Sequence, residues 1–323
     1  MIDGCGRPID YVRISVTDRC NLRCVYCMPD SGVQSLAHGD ILTFEEIERC
    51  VRALAKLGVR HVRVTGGEPM VRRDCLGLIA RIRDVEGIET ISMTTNGLLL
   101  AGRVEEARRA GLDSLNISLD TLDPQRYPAI TRGGRVEDVL SVIDEAVRLR
   151  MRVKVNAVPV RGLNDGDLTA LAALAKDRPI HVRFIELMPV GCGADLSPIP
   201  TEEVLDRLRE AFGELPEDQE PHGFGPARYV RPSGFIGSIG VISALSHEFC
   251  DQCNRVRLTA DGYLKLCLNH STGLDVRALL RGGAEDDAIV EALSRSILQK
   301  PKRHGFEENT FDQETRRMNQ IGG

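Results

Sequence analysis

The 323-residue chain has no tryptophan, and aromatic residues make up only 4% of it. That is too few for the stacked platforms on which single-stranded nucleic acids are bound. Positive charge is not in excess either, because the formal net charge is -5. The net charge therefore gives no reason to expect nucleic-acid binding by bulk electrostatics, and any anionic ligand must be held by local arginines. No apolar run reaches the length needed to span a membrane. The opening residues, Met1 to Pro8, lack the basic-then-apolar pattern of a secretory signal, so the expected location is cytoplasmic. What remains is 42% hydrophobic and 28% charged residues, an ordinary soluble composition with length enough for a substantial core.

Cysteine is the exception to this plainness. Ten cysteines in a chain without an export signal argue for metal ligation rather than disulfides. Six of them form two sets of three: Cys20, Cys24 and Cys27 (C-x3-C-x2-C), and Cys250, Cys253 and Cys267 (C-x2-C-x13-C). Three thiolates complete neither a four-thiolate zinc site nor a fully ligated iron–sulfur cube, so each set leaves one metal position open. Cys5, Cys50, Cys75 and Cys192 fit no ligand spacing. Cys50 falls within an amphipathic helical pattern and reads as a small buried hydrophobe.

From the first cysteine loop onward, strand-like and helix-like segments alternate. Strands are expected at 11–16, 59–64, 89–93, 114–119, 152–158 and 181–187, each followed by a helical pattern. Thr43-Phe-Glu-Glu reads as a capping box opening a helix that Gly58 stops. Six such units imply a parallel sheet with right-handed crossovers, too few for a closed eight-stranded barrel. The expectation is an α/β fold, an incomplete (β/α)6 TIM-type barrel over residues 1–215. Polar residues gather where its strands end, the face on which αβ barrels place their chemistry. A segment rich in Pro, Gly and charge, 216–226, looks like a linker. It opens an α+β extension, 216–323, that carries short β-like segments, the second cysteine set and a final helix near 285–299.

Cys20-Asn-Leu-Arg-Cys24-Val-Tyr26-Cys27, directly after a strand, resembles the signature of the radical S-adenosylmethionine (SAM) superfamily. A zinc site completed by a residue such as His38 is the alternative reading of the spacing. The resemblance implies a [4Fe-4S] cluster on Cys20, Cys24 and Cys27 whose fourth iron chelates SAM, with Tyr26 against the adenine. Thr65-Gly-Gly67-Glu-Pro is similar to the superfamily's motif for the SAM amino group, and two glycines permit close backbone approach. Ser118 and Met188, at the ends of later strands, align with further SAM-contacting positions. Without the resemblance they read as a strand-end polar group and a core methionine.

Near the second set, Arg255 and Arg257 share one strand face, and Arg13, Arg63, Lys154 and Arg183 lie on strands leading to the same face. The block Cys250-x2-Cys253-x-Arg255-x-Arg257, together with the terminal Gly322-Gly323, resembles the GTP 3′,8-cyclase family over nearly the whole chain. The resemblance implies a second [4Fe-4S] cluster on Cys250, Cys253 and Cys267 that meets the guanine of GTP. It implies GTP contacts from Arg13, Arg63, Thr94, Lys154, Arg183, Arg255 and Arg257, with the double glycine inserted toward the site. Where many relatives carry lysine, this chain has His61.

The activity so implied is the lyase reaction that cyclises GTP between C3′ and C8, the first step of molybdenum cofactor biosynthesis. It is driven by hydrogen abstraction from C3′, with Arg257 as a candidate donor in the final reduction. Implied partners are a second copy of the chain, a flavodoxin-type or ferredoxin-type electron donor, and cyclic pyranopterin monophosphate synthase as recipient of the product. The competing readings are a peptide-modifying radical SAM enzyme with an auxiliary cluster and a non-catalytic zinc-binding module.

Overall fold

A computed structural model of the protein describes residues 1–306 and 316–322. Its first six strands are β1 (Tyr11–Ser15), β2 (His61–Thr65), β3 (Thr90–Thr95), β4 (Ser114–Ser118), β5 (Arg152–Ala157) and β6 (Ile180–Ile185). They pair in parallel in sequence order. One rule governs their composition. Alternate residues such as Val12 and Ile14, Val62 and Val64, Leu115 and Ile117, Val153 and Val155 are all at most 1% exposed and join the core. Between them stand Arg13, Arg63, Asn116, Lys154 and Arg183, which the period of two sends to the opposite face. The barrel is thus apolar beneath its helices and polar inside.

The helices form where local signals ask for them. The helix Phe44–Lys56 opens on Thr43, whose Oγ1 accepts from the Glu46 amide while the Glu46 carboxylate accepts from the Thr43 amide. Gly58, at φ +98°, follows its last turn. Val136–Arg148 and Thr201–Phe212 supply the helical patterns expected after the fourth and sixth strands. Cys75–Arg83 stands between β2 and β3, where a helical pattern is expected, while the short helices Arg126–Thr131 and Val276–Arg281 are additions to that pattern.

Five strands follow: β7 (Arg228–Val230), β8 (Ser238–Ile242), β9 (Arg255–Leu258), β10 (Tyr263–Lys265) and β11 (Gly273–Asp275). They do not form a sheet of their own. β8 adds in parallel to β6, and β9 adds in parallel to β1, so the C-terminal region clasps both edges of the barrel sheet. The order is β11-β10-β9-β1-β2-β3-β4-β5-β6-β8-β7, an open arrangement whose edge strands are only three residues long and offer little to pair with. Pairing β9 with β1 sets Arg257 opposite Arg13, and Arg13 lies opposite Arg63.

The segment 216–226 is not a free linker. Asp218 accepts hydrogen bonds from His222, Arg231 and Ser238. The His222 ring packs against His181 and Tyr229, and Phe224 stacks on His61 at 3.4 Å. Its Pro, Gly and charge content signals irregular backbone, and a single buried carboxylate anchors that backbone as a strap across the starts of the strands.

Candidate active site

The first cysteine loop leaves β1 and is held by the turn after β2. The Gly67 amide donates to the Thr17 carbonyl at 2.7 Å and the Glu68 amide to that of Arg19 at 2.8 Å. A Cβ at Gly67 would lie 2.3 Å from the Arg19 oxygen, so only glycine allows this approach. Glu68, 1% exposed, accepts from Thr95 Oγ1 (2.8 Å) and from the Asn96 amide (2.8 Å). Asn96 in turn bonds Asn21 Oδ1 at 2.8 Å, beside Cys20. Burial pushes the Glu68 carboxyl up to about 7. Tyr26 donates to Asp120 at 2.6 Å, and burial raises Asp120 to about 6.

The three thiols sit among these acidic groups. Burial pushes Cys20 up to about 11, with Glu68 adding to the rise, and Cys27 up to about 12. Cys24 is raised by burial and then by Asp120. None of the cysteines is in a disulfide.

The second set has mixed surroundings, in which burial, Cys267 and Glu248 raise Cys250. Cys250 begins a short 3-10 turn, Cys250–Gln252, and Cys267 follows β10. Burial raises Cys253, but Lys300 and Arg255 outweigh it and hold the thiol at about 7. Arg255 lies 5.1 Å over the Phe249 ring. The Arg257 guanidinium, lowered to about 10 by burial and by Arg255, donates to the Gly322 carbonyl at 2.7 Å. Gly322, at φ +88°, is tucked against Ser15 and Thr65, and Asn319 donates to the Asp18 carbonyl at 3.0 Å. The described end of the chain therefore lies within the site. Gly323 lies outside the described residues.

All six cysteines line one cavity of about 330 Å³. Tyr26, Gly67, Ser118, Met188, Arg13, Thr94, Arg255 and Arg257 line it too. Arg63, Lys154 and Arg183 do not. They stand on the same inner face of the strands, where Arg183 donates to Asn156 Oδ1 (2.8 Å) and Asn116 Oδ1 (2.7 Å). Arg63 donates to Ser92 Oγ at 3.2 Å, and Lys154 to the His222 carbonyl.

Burial first, then Arg183 and Arg63, bring the Lys154 ammonium down to about 6. Burial, then Arg257 and Arg63, lower Arg13, whose Nε has no protein partner. Among the described residues no carboxylate forms an ion pair with any of these six cations. Such a cluster of like charge in a partly dry interior is costly until an anion enters.

Of the other cysteines, Cys50 and Cys75 are buried hydrophobes, their thiols pushed up to about 12 by burial. Cys192 lies in a 3-10 turn, Gly191–Asp195, and Cys5 is exposed. His61 is 5% exposed, bonded through Nδ1 to Thr90 Oγ1 at 2.9 Å, and burial lowers its pKa. Sequence reasoning passed over Glu68 and Asp120 as site residues, although both stand in polar runs at strand ends. It also missed Lys300, for which no local signal exists.

The radical SAM superfamily model matches residues 14–175, and the model for Molybdenum Cofactor Synthesis C matches residues 180–306. A GTP 3′,8-cyclase from Pelotomaculum thermopropionicum is 46% identical over 327 aligned positions, covering 100% of both chains. One from Heliobacterium modesticaldum is 44% identical with the same coverage. The chain belongs to the GTP 3′,8-cyclase family. Among solved structures, Streptococcus suis SuiB bound to S-adenosylmethionine superposes with a TM-score of 0.62 at 14% identity, over 91% of this chain and 68% of that one. That likeness shows the radical SAM fold alone. No helix among the described residues is long and apolar enough to cross a membrane.

Proposed function

We propose that this chain cyclises GTP to (8S)-3′,8-cyclo-7,8-dihydroguanosine 5′-triphosphate, a lyase reaction and the first step of molybdenum cofactor biosynthesis. One observation carries the reading: two three-cysteine sets share a cavity lined by Arg13, Arg255 and Arg257, with Arg63, Lys154 and Arg183 on the same inner face of the strands. The donor sets fit iron–sulfur clusters, because each offers three soft thiols, none is oxidised, and each stops one ligand short of closure. When bound at Cys20, Cys24 and Cys27, a reduced [4Fe-4S] cluster supplies the reductive cleavage of SAM and with it the hydrogen-abstracting 5′-deoxyadenosyl group.

The protein's residues then bind, orient and exclude water. Gly67, Ser118 and Met188 hold SAM, and Tyr26 lies along its adenine, oriented by the bond to Asp120. Glu68 fixes the turn that brings the Gly67 backbone against the cysteine loop. Cys250, Cys253 and Cys267 hold a second [4Fe-4S] cluster facing the guanine. Arg13, Arg63, Lys154, Arg183, Arg255 and Arg257 receive the triphosphate, each charge-assisted bond contributing about 1.5–3 kcal/mol, and Thr94 adds a hydroxyl. Arg257, between the second cysteine set and the described C-terminal residues, is also the candidate donor in the final reduction.

In this reading residues 1–215 carry SAM and residues 216–323 carry the substrate. The protein acts as a cytoplasmic homodimer, receives electrons from a flavodoxin-type or ferredoxin-type protein, and passes its product to cyclic pyranopterin monophosphate synthase. The test is anaerobic: reconstitute with iron and sulfide, add SAM, dithionite and nucleotide, and measure 5′-deoxyadenosine. Formation with GTP but not ATP is expected. Formation indifferent to nucleotide would discard the substrate, and none at all from protein with both clusters would discard the reading.

A further inference from the structure

Three cysteines from irregular backbone must be held together for the second site, and no strand or long helix holds them. Cys250 opens a single 3-10 turn and Cys267 sits in the loop after β10. The groups that fix this region come from the opposite end of the chain. Arg7 is 5% exposed, and its guanidinium is fully occupied. Nη1 donates to the Cys250 carbonyl (2.8 Å) and the Lys302 carbonyl (2.9 Å). Nη2 donates to the carbonyls of Pro301 (2.8 Å) and Lys300 (3.5 Å), and Nε to Asp3 Oδ2 (2.7 Å). Asp3, 4% exposed, also accepts from the amides of Cys5 and Arg7, both at 2.9 Å.

Lys300, whose backbone Arg7 holds, is 4% exposed and lines the cavity beside the cysteines. Its ammonium donates to the carbonyl of Leu266, the neighbour of Cys267. The same ammonium acts on Cys253. Two buried cations thus reach all three cysteines, through the Cys250 carbonyl, the residue before Cys267, and the side of Cys253. A guanidinium suits this task because its five N–H groups lie in one plane and can gather carbonyls from separate segments. Lysine could gather fewer of them, and only as a point charge.

We propose that Arg7, set by Asp3, is a positioning residue for the second cysteine site, organising it through the Cys250 carbonyl and the Lys300–Lys302 backbone. This rests on the reading that Cys250, Cys253 and Cys267 hold a cluster. Groups behind metal ligands typically change metal affinity by about 10–100-fold when removed. Arg7 differs from an ordinary terminal anchor because its loss acts on one cysteine set and spares the other.

The experiment compares the full chain with Arg7→Ala, Arg7→Lys, Asp3→Asn and Cys250→Ala after anaerobic reconstitution. It reads iron and sulfide per chain, cluster absorbance, resistance to a chelator, and SAM cleavage without GTP. Cys250→Ala sets the iron content expected when the second set is broken, about half the wild-type value; Arg7→Ala is expected to match that content and to keep wild-type SAM cleavage. Asp3→Asn and Arg7→Lys are expected to keep the second cluster but lose it to chelator about tenfold faster. Full iron and unchanged chelator resistance in Arg7→Ala, with half the iron in Cys250→Ala, would overturn the proposal and leave the two-cluster reading standing. Full iron in Cys250→Ala would overturn both. If Arg7→Ala does not fold, the chelator rate of Asp3→Asn decides: faster loss confined to the second cluster supports the proposal, and an unchanged rate overturns it.

Discussion

The two cysteine sets have the same number of thiols and different charged neighbours. At Cys20 and Cys24 the charged groups that add to burial are the carboxyls of Glu68 and Asp120, which push the thiols up. At Cys253 they are Lys300 and Arg255, which hold the thiol down, whereas Cys250 beside Glu248 is raised by burial, Cys267 and that carboxylate. An acidic site attracts a ligand with positive charge, and SAM brings a sulfonium and an ammonium. A basic site attracts an anion, and a nucleoside triphosphate is one. The ligands are thus sorted by charge before any specific contact is made.

That comparison breaks most severely at the cysteines. Cys24→Ala should abolish 5′-deoxyadenosine formation, whereas Cys253→Ala should keep SAM cleavage and lose the cyclised nucleotide; chromatography of both products checks this. Next come the cations. Arg183→Ala removes a guanidinium fixed by Asn116 and Asn156 and should weaken GTP binding about 10–100-fold. SAM affinity, measured by calorimetry on the same protein, should not change.

Lys154 gives the basic half a pH signature. Its ammonium is lowered to about 6, so the free enzyme holds it neutral at pH 8, and binding a polyanion should recharge it. GTP binding should therefore take up a proton, and affinity should fall as pH rises above 6. Calorimetry in two buffers of different ionisation enthalpy, with Lys154→Met as the reference, checks both. By the same linkage the unfolded chain binds more protons here between about pH 6 and 10.5, so this group lowers stability as pH falls through that window.

The smallest effect is expected at the strap. A Cβ at Gly223 would lie 2.7 Å from Lys154 Nζ, and Asp218 anchors the same segment. Asp218→Asn should raise the KM for GTP roughly threefold and leave that for SAM alone.

What the sequence disclosed follows the range of each signal. The strands were legible because Val12, Ile14 and their counterparts alternate with polar residues, a pattern complete within five positions. The capping box at Thr43 and the loop spacing of Cys20, Cys24 and Cys27 are equally local. The six cations could be gathered because each sits on a readable strand at the same phase. The strap was misjudged because its order comes from Asp218 meeting Arg231 and Ser238, contacts that composition does not reveal. Arg7, Asp3 and Lys300 were invisible for the same reason, since they act on groups far along the chain. The attachment of β8 and β9 to the two barrel edges also depends on pairing rather than on pattern.

The most direct test follows one atom. With GTP carrying deuterium at C3′, 5′-deoxyadenosine formed by the intact protein should carry the label, and that formed by Cys253→Ala should not. Unlabelled 5′-deoxyadenosine from the intact protein would contradict the assigned reaction, and label transfer undiminished in Cys253→Ala would contradict the division of labour between the two cysteine sets.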